Sequence, residues 1–391
     1  MRSATPTIGT SVPDVDPFAK TQQDQAAIAE GALATVRLAL ANPKDADVFA
    51  LGKIAGQLQA MLPTVATEAQ FEALQGVGRF FLNQDRELPF AMEAAATICK
   101  LARRLGRKQQ LFNGLLMQGV IATQLTNSIE AIESFVAARD VAIEVGLPRG
   151  ELVAVMNGAV VLLNQGYYSE ALELFRAGLA IADRCEQVDD VIGTLLMNIA
   201  QCHLFLSDYE DGLHAISAAR EFLPEPMDPH SAGNRATLEF TQLRLLISTK
   251  QGNAALTNLE SQARYAAMAG SVRARIDLSV ARGLINVVVE GKRDLGLSQI
   301  KAAREKAHLI PSTMPDVLTG LIAAAEQSGR NDEAMTFKKE LQSLLSSRQE
   351  TSRFRAALLS NSAVGIGATE QDRSSYDRRL DQARERLLRR P

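Results

Sequence analysis

The stretch GYYSEALELFRAGLA, residues 166–180, places small and large apolar residues on one side of a helix. Ala171, Phe175 and Gly178 follow one another at steps of four and three residues, which is the spacing of a single helical face. Gly166 stands five residues before Ala171, and glycine tolerates the positive φ that often ends a helix. We therefore predict that one helix ends at Gly166 and that a second helix packs through the three residues that follow it.

The same pattern recurs along most of the chain. Each copy is centred on an Ala or a Gly, and successive copies are separated by 40, 40, 41, 43, 41 and 38 residues. A small residue at a fixed place lets a neighbouring helix approach closely, and a steady period in this range predicts stacked repeats. These positions, called reference positions below, are Ala91, Ala131, Ala171, Gly212, Ala255, Gly296 and Ala334.

A second helical pattern precedes each reference position. In one repeat it consists of Val155, Gly158, Ala159 and Leu162, spaced by three, one and three residues. Glycines recur between the two patterns, five residues before the reference position, in three of the repeats. Each repeat is therefore predicted to contain a helix A, a turn and a helix B. The turn glycines are Gly166, Gly291 and Gly329.

Residues 72–345 resemble the tetratricopeptide repeat family. The family places a small residue late in helix A and then Ala, an aromatic residue and Ala in helix B; Ala159, Ala171, Phe175 and Gly178 match this pattern. The period is nearer 40 than the usual 34 residues, as in longer-helix members such as kinesin light chain. The resemblance implies an all-α fold, a right-handed superhelical α-solenoid of about seven stacked helix-turn-helix repeats.

Composition predicts further segments around the solenoid and a cytoplasmic, reducing location. Three cysteines without a CxxC pair favour buried, reduced thiols. A net charge of −3 gives no field that attracts nucleic acid or a membrane surface. The predicted segments are a disordered N-terminus (1–20), an N-terminal helical cap (21–71), the solenoid (72–347), a helix end with a flexible linker (348–371) and a charged C-terminal helix (372–391).

A search for catalytic motifs favours a protein that is not an enzyme. None of the four histidines has a second His or Cys at metal-ligand spacing, and His203 falls on the core face of a helix A. The sequence contains no GxGxxG, no phosphate loop and no nucleophile elbow. We therefore expect no catalytic residues, no metal site and no cofactor.

The A helices of such a solenoid line a concave groove that fits an extended peptide or a partner helix. Asn157 and Asn198 occupy equivalent places in adjacent repeats. The family resemblance implies that Asn at this place hydrogen-bonds the ligand backbone. The alternative is that the Asn side chains bond a neighbouring helix and that the arginines are solvated. Five more polar candidates fall on or near this surface: Gln201, Arg244, Arg282, Asn113 and Gln124.

The two arginines of this set are suited to receive a ligand carboxylate as a bidentate pair. The family's dicarboxylate clamp, however, requires Lys and Asn in the preceding repeat. This sequence has Leu116 and Val120 there. We therefore do not expect recognition of a chaperone-type acidic C-terminus.

The C-terminal helix carries a short heptad pattern. Its apolar positions are Tyr376, Leu380, Ala383 and Leu387. This pattern allows a homodimer through the helix, a capping helix, or a linker to a following domain.

Two functions stay open on the sequence alone. The first is a protein–protein interaction scaffold that binds a peptide or partner helix. The second is a sensory or regulatory module of a bacterial signal-transduction protein, in which a cyclic-di-GMP turnover domain lies outside this chain, or a peptide-pheromone receptor. No nucleic-acid or membrane partner is expected.

Overall fold

The computed structural model describes residues 22–43, 45–60, 67–84, 87–346 and 376–382, and these ranges contain helices and no strand. The predicted all-α solenoid is confirmed. By its internal contacts the chain divides into two compact units, Met1–Ile121 (unit 1) and Ala122–Pro391 (unit 2). The predicted disordered N-terminus (1–20) and linker (348–371) lie outside the described residues.

Unit 1 is a helical layer around its own apolar core. Helix α3 packs on α1, α2 and α4, and its rings Phe80 and Phe81 meet edge to face with centroids 5.3 Å apart. The two helices predicted as a cap, α1 and α2, therefore share a core with the helices that follow them. The elements are α1 (Gln22–Ala41), α2 (Val48–Ala60), α3 (Glu68–Gln84), α4 (Leu88–Leu105) and α5 (Lys108–Gln124), whose last three residues belong to unit 2.

Unit 2 is an array of paired helices. Each odd-numbered helix from α7 onward packs on the helix after it and also on the next odd-numbered helix, so α7, α9, α11, α13 and α15 form one layer. These are the A helices of the sequence pattern. The elements are α6 (Ser128–Glu144), α7 (Pro148–Asn164), α8 (Tyr168–Ala182), α9 (Asp189–Leu206), α10 (Tyr209–Phe222), α11 (Pro229–Ser248), α12 (Gly252–Ala269), α13 (Val272–Val288), α14 (Arg293–Ala307), α15 (Met314–Gln327) and α16 (Asn331–Ser346).

The turn between helix A and helix B has the same left-handed residue in repeat after repeat. The three predicted glycines have φ of 84°, 68° and 71°. At the same offset Thr126, Ser207 and Lys250 have φ of 59°, 68° and 61°. A hydrogen bond closes these turns in the helix-capping manner, for example from Asp208 N to His203 O at 2.9 Å. The turn is therefore conserved in geometry where the glycine is absent.

The reference positions are buried in all seven repeats, as the small residues predict. The closest approach is between α13 and α14, where Gly283 and Gly296 face each other. A Cβ on Gly283 would lie 2.8 Å from the carbonyl oxygen of Gly296, and a Cβ on Gly296 would meet the carbonyl oxygen of Gly283. In the fourth repeat a Cβ on Gly212 would lie 2.7 Å from Leu245 Cδ2. Glycine is required at the α13–α14 crossing because the helix backbones touch there, whereas at Gly212 the close neighbour is a leucine side chain.

The last helix of the array contacts its third repeat. Near the end of α16, Leu345 lies against the turn at Gly166, where an added Cβ would come within 3.1 Å of its Cδ1. The C-terminal helix, residues 376–382, packs on α8 of the same chain. Tyr376 is 8% exposed. The centroid of its ring lies 5.3 Å from the Cζ of Arg176. Burial raises the pKa of its hydroxyl group to about 12.

Ion pairs hold the C-terminal helix beside the end of α8. Arg379 Nη2 lies 2.7 Å from Asp183 Oδ1, and Arg378 pairs with the other oxygen of the same carboxylate. Of the heptad positions, Ala383 and Leu387 lie outside the described residues. A homodimer through this helix stays a prediction.

Two of the three cysteines are buried as predicted, and burial raises the pKa of the Cys99 thiol to about 11. Cys185 is a correction, because it is only half-buried. It follows the end of α8, in the loop before α9. Within the described ranges, every helix is too short or too polar to cross a membrane.

Candidate functional site

The predicted site residues of unit 2 are spread over the layer of A helices. Asn157 lies on α7, Asn198 and Gln201 on α9, Arg244 on α11, and Arg282 on α13. Gln124 is the last residue of α5; its amide oxygen is buried and accepts no hydrogen bond within the described ranges. The remaining candidate, Asn113, is half-buried and belongs to unit 1.

Four uncharged polar residues form an amide cluster on α7, α9 and α11: Asn157, Asn198, Gln201 and Thr241. Asn157 Nδ2 donates to Val153 O in its own helix at 2.9 Å. Asn198 is only 5% exposed, and no partner for its amide occurs in the described part of the chain. Gln201 Nε2 donates to Thr241 Oγ1 at 3.4 Å. Neither Asn bonds a neighbouring helix, contrary to the structural alternative raised by the sequence.

Arg244 is the centre of a second cluster, and it is not solvated. It is 7% exposed, and its Nη1 donates to Asp316 Oδ1 at 2.6 Å. Its guanidinium lies 5.0 Å from the ring centroid of Phe205 and 5.5 Å from that of Phe240. The ring of Tyr168 stacks on Phe205, with centroids 4.6 Å apart. The pair joins α11 to α15, two helices that each pack on α13 between them.

Two further charged residues of α13 complete this ionic cluster, defined as Arg244, Arg273, Asp277 and Asp316. Arg273 lies between the two acids, with Nε 3.8 Å from Asp277 Oδ2 and Nη2 3.9 Å from Asp316 Oδ2. Asp277 is 2% exposed. Burial raises the pKa of Asp277 to about 7, and the nearby Arg273 opposes this shift. The cluster therefore holds one carboxyl group that titrates near neutral pH.

Sequence reasoning identified Arg244 but missed both acids of the cluster. The spacing of Arg273 and Asp277, four residues apart on one helix, was the available signal. Asp316 lies 72 residues from Arg244, and no local pattern connects them.

Arg282 is exposed on α13 at the place that Asn157, Asn198 and Thr241 occupy in the preceding repeats. It forms no ion pair with any described residue. The A-helix surface therefore changes along the array, from uncharged amides on α7 and α9 to arginines and aspartates from α11 onward.

The remaining polar residues include the histidine singled out by the sequence. No group of three or more His, Cys, Asp or Glu residues that suits a metal ion occurs among the described residues. His203 is buried in α9 as predicted, with Nδ1 3.4 Å from Asp208 Oδ2. Burial lowers the pKa of His203, which favours a neutral structural histidine.

A cavity of about 830 Å³ opens elsewhere in unit 2, between the start of α9, the end of α10 and α11. Its Arg220 donates to the buried carboxylate of Glu239 at 2.7 Å. Arg235 is buried with its Nη1 3.4 Å from the carbonyl oxygen of Leu223. Four carboxylates also line the cavity: Asp189, Asp190, Glu221 and Glu225. None of the predicted site residues reaches it.

No known family matches the sequence, and no curated protein is similar enough in sequence to match. The fold is similar to a crystal structure of a Rap protein complexed with competence and sporulation factor. The TM-score is 0.63 at 13% sequence identity, and the match covers 86% of this chain and 90% of that one. At this identity the match shows a common helical repeat fold over most of both chains.

Proposed function

We propose that this protein is a non-enzymatic interaction scaffold, and that unit 2 binds a peptide or partner helix along its A helices. The observation that carries the proposal is Asn198, whose side chain is 5% exposed and whose amide has no partner among the described residues, although its amide atoms are not fully buried. A peptide backbone supplies the donor and the acceptor that such an amide lacks.

The neighbouring repeat supports this role. Asn157 stands at the equivalent place on α7, and its only hydrogen bond to a described residue uses the Nδ2 group. Its oxygen is therefore free to accept from a ligand N–H. The half-buried apolar side chains Met156 and Val160 lie beside it and provide surface for the side chains of the partner.

The likeness in fold gives independent support. A helical repeat protein of the same architecture has been crystallised in complex with competence and sporulation factor. A solenoid of this kind is therefore able to hold a binding partner. This supports a peptide or protein as the partner of the present chain, and a cytoplasmic location fits the same proposal.

A regulatory role is the second candidate, and the ionic cluster favours it. Arg244 and Asp316 connect helices that are not neighbours in the layer. A ligand that altered this pair would change the spacing of α11 and α15 and so the curvature of the array. A sensory module of a signal-transduction protein or a peptide receptor would use such a change.

The proposed function is tested by selecting displayed random linear peptides on the purified chain. The affinity of the best peptide is then measured by fluorescence anisotropy. The double variant Asn157→Ala/Asn198→Ala is expected to weaken binding by about tenfold or more, because two amide contacts are lost. Asn253→Ala is the control, since Asn253 is exposed on a helix B. A peptide that binds wild type and double variant equally would place the site elsewhere.

A further inference from the structure

We infer that Arg244 receives a carboxylate group of the ligand, and that this carboxylate replaces Asp316 as the partner of Arg244. The inference rests on the proposed function, because it assumes that a peptide lies along the A helices. It adds the chemical class of the ligand, an acidic peptide, and the structural event that accompanies binding.

The guanidinium of Arg244 is a partly used binding group. Arginine has five N–H donors, and only Nη1 has an acceptor among the described residues, the single oxygen Asp316 Oδ1. The rings of Phe205 and Phe240 lie within 5.5 Å of the guanidinium and hold it in place. A fixed, flat guanidinium with unused donors is suited to a bidentate carboxylate.

Arg244 lies beside the amide cluster. Thr241 stands three residues before Arg244 on α11 and accepts the hydrogen bond from Gln201 of α9. Packed helices lie about 8–10 Å apart, and an extended chain advances about 3.3 Å per residue. A peptide whose backbone bonds Asn198 therefore brings a side chain to Arg244 about three residues farther on.

The charges of the groove favour an anionic group at this end. The ionic cluster and the exposed Arg282 beside it on α13 together contain three arginines, Arg244, Arg273 and Arg282, and two acids, Asp277 and Asp316. Three cations face two anions, and one of the anions is buried. A carboxylate is attracted to this region, whereas a cationic side chain would meet the excess of arginines.

Asp316 is placed to be exchanged. Its side chain is 20% exposed and binds Arg244 through one oxygen, while its second oxygen lies 3.9 Å from Arg273. After a ligand carboxylate takes Arg244, Asp316 keeps Arg273 as a partner. The exchange replaces an internal ion pair by a ligand ion pair and frees α15 from α11.

The test uses the best displayed peptide and a version with each Asp or Glu replaced by Asn or Gln, on the full chain. We expect selected peptides to carry an acid. Its replacement should weaken binding to wild type by about tenfold or more, and binding to Arg244→Gln by less than about twofold. Asp316→Asn should tighten the acidic peptide by about threefold or more and leave the neutral peptide unchanged, because only the acidic one competes with Asp316.

The variants separate this inference from the proposed function. Peptides that depend on Asn157 and Asn198 but carry no acid would overturn the inference alone. So would weaker binding of the acidic peptide to Asp316→Asn. Arg244→Lys keeps the positive charge but loses the planar guanidinium that forms two parallel hydrogen bonds with a carboxylate, so we expect intermediate binding. The thermal midpoint of this variant shows whether it folds. If no peptide is selected at all, the proposed function and the inference both fail.

Discussion

The two ends of the A-helix layer have the same architecture and opposite polar chemistry. On α7 and α9 the amide cluster is uncharged, and Asn198 has no partner among the described residues. On α11, α13 and α15 the ionic cluster is largely satisfied from within, through Arg244, Arg273 and two aspartates. A polar group that is bonded internally supports the fold, whereas an unbonded one is available to a ligand. The comparison assigns recognition of the ligand backbone to the amide end, whereas at the ionic end Arg244 both supports the fold and is the group proposed to receive a ligand carboxylate.

The largest effect is expected where helix backbones touch beneath the ionic end. Gly296→Ala forces a methyl group into the carbonyl oxygen of Gly283 and should lower the free energy of unfolding by up to about 3 kcal/mol. Gly233→Ala on α11 is the matched control, because no atom lies within 4 Å of its added Cβ. Urea denaturation measures both. Similar losses in the two variants would show that the α13–α14 contact is not close.

A pH-dependent effect of about 2 kcal/mol between pH 5 and pH 7 is expected at Asp277. Its pKa of about 7 in the fold lies above the ordinary 3.8, so the unfolded chain loses this proton first as the pH rises. Wild type therefore loses stability between about pH 4 and pH 7, and Asp277→Asn does not. The stability advantage of the variant should grow over this range and then stay constant. Thermal midpoints at pH 5, 6, 7 and 8 measure it, and a pH-independent difference contradicts the burial of an ionisable group here.

A smaller effect on stability is expected from substitutions of two arginines on the A-helix surface, Arg244 and Arg282. Arg244→Ala removes an ion pair and two ring contacts, and should lower the free energy of unfolding by about 1–2 kcal/mol. Arg282→Ala should change it by less than about 0.5 kcal/mol, since Arg282 is exposed. Equal losses in the free energy of unfolding, measured by chemical denaturation, would show that the contacts of Arg244 stabilise the fold no more than the exposed Arg282 does.

The smallest effect on stability is expected at the amide end. Asn198→Ala removes no hydrogen bond to any described residue and should change the free energy of unfolding by less than about 0.5 kcal/mol. The same substitution is expected to weaken peptide binding. A loss of stability as large as that of Arg244→Ala would indicate that Asn198 supports the fold.

The repeats could be predicted from the sequence because a local requirement marks each of them. A helix crossing that excludes a Cβ needs Ala or Gly, so the reference positions are visible at a steady period. The turns were predicted in every repeat, but the left-handed residues Thr126, Ser207 and Lys250 within them were not identified, because capping hydrogen bonds fix their backbone without glycine.

The candidate site was predictable only in part. The register of the repeat placed Asn157 and Asn198 at equivalent positions, and the structure puts them on adjacent A helices. The pairing of Arg244 with Asp316 depends on how far the layer curves over 72 residues. Curvature is the sum of small rotations between repeats, and no single residue specifies it.

The contact between Leu345 and Gly166 limits the number of repeats that can lie between the third and the seventh. An open array gains or loses a repeat at little cost, because each unit touches only its neighbours. Here the seventh repeat rests on the third. Duplication or deletion of one 40-residue unit between them would break the contact between Leu345 and Gly166. Changes in repeat number are therefore expected to be tolerated outside this interval and selected against within it.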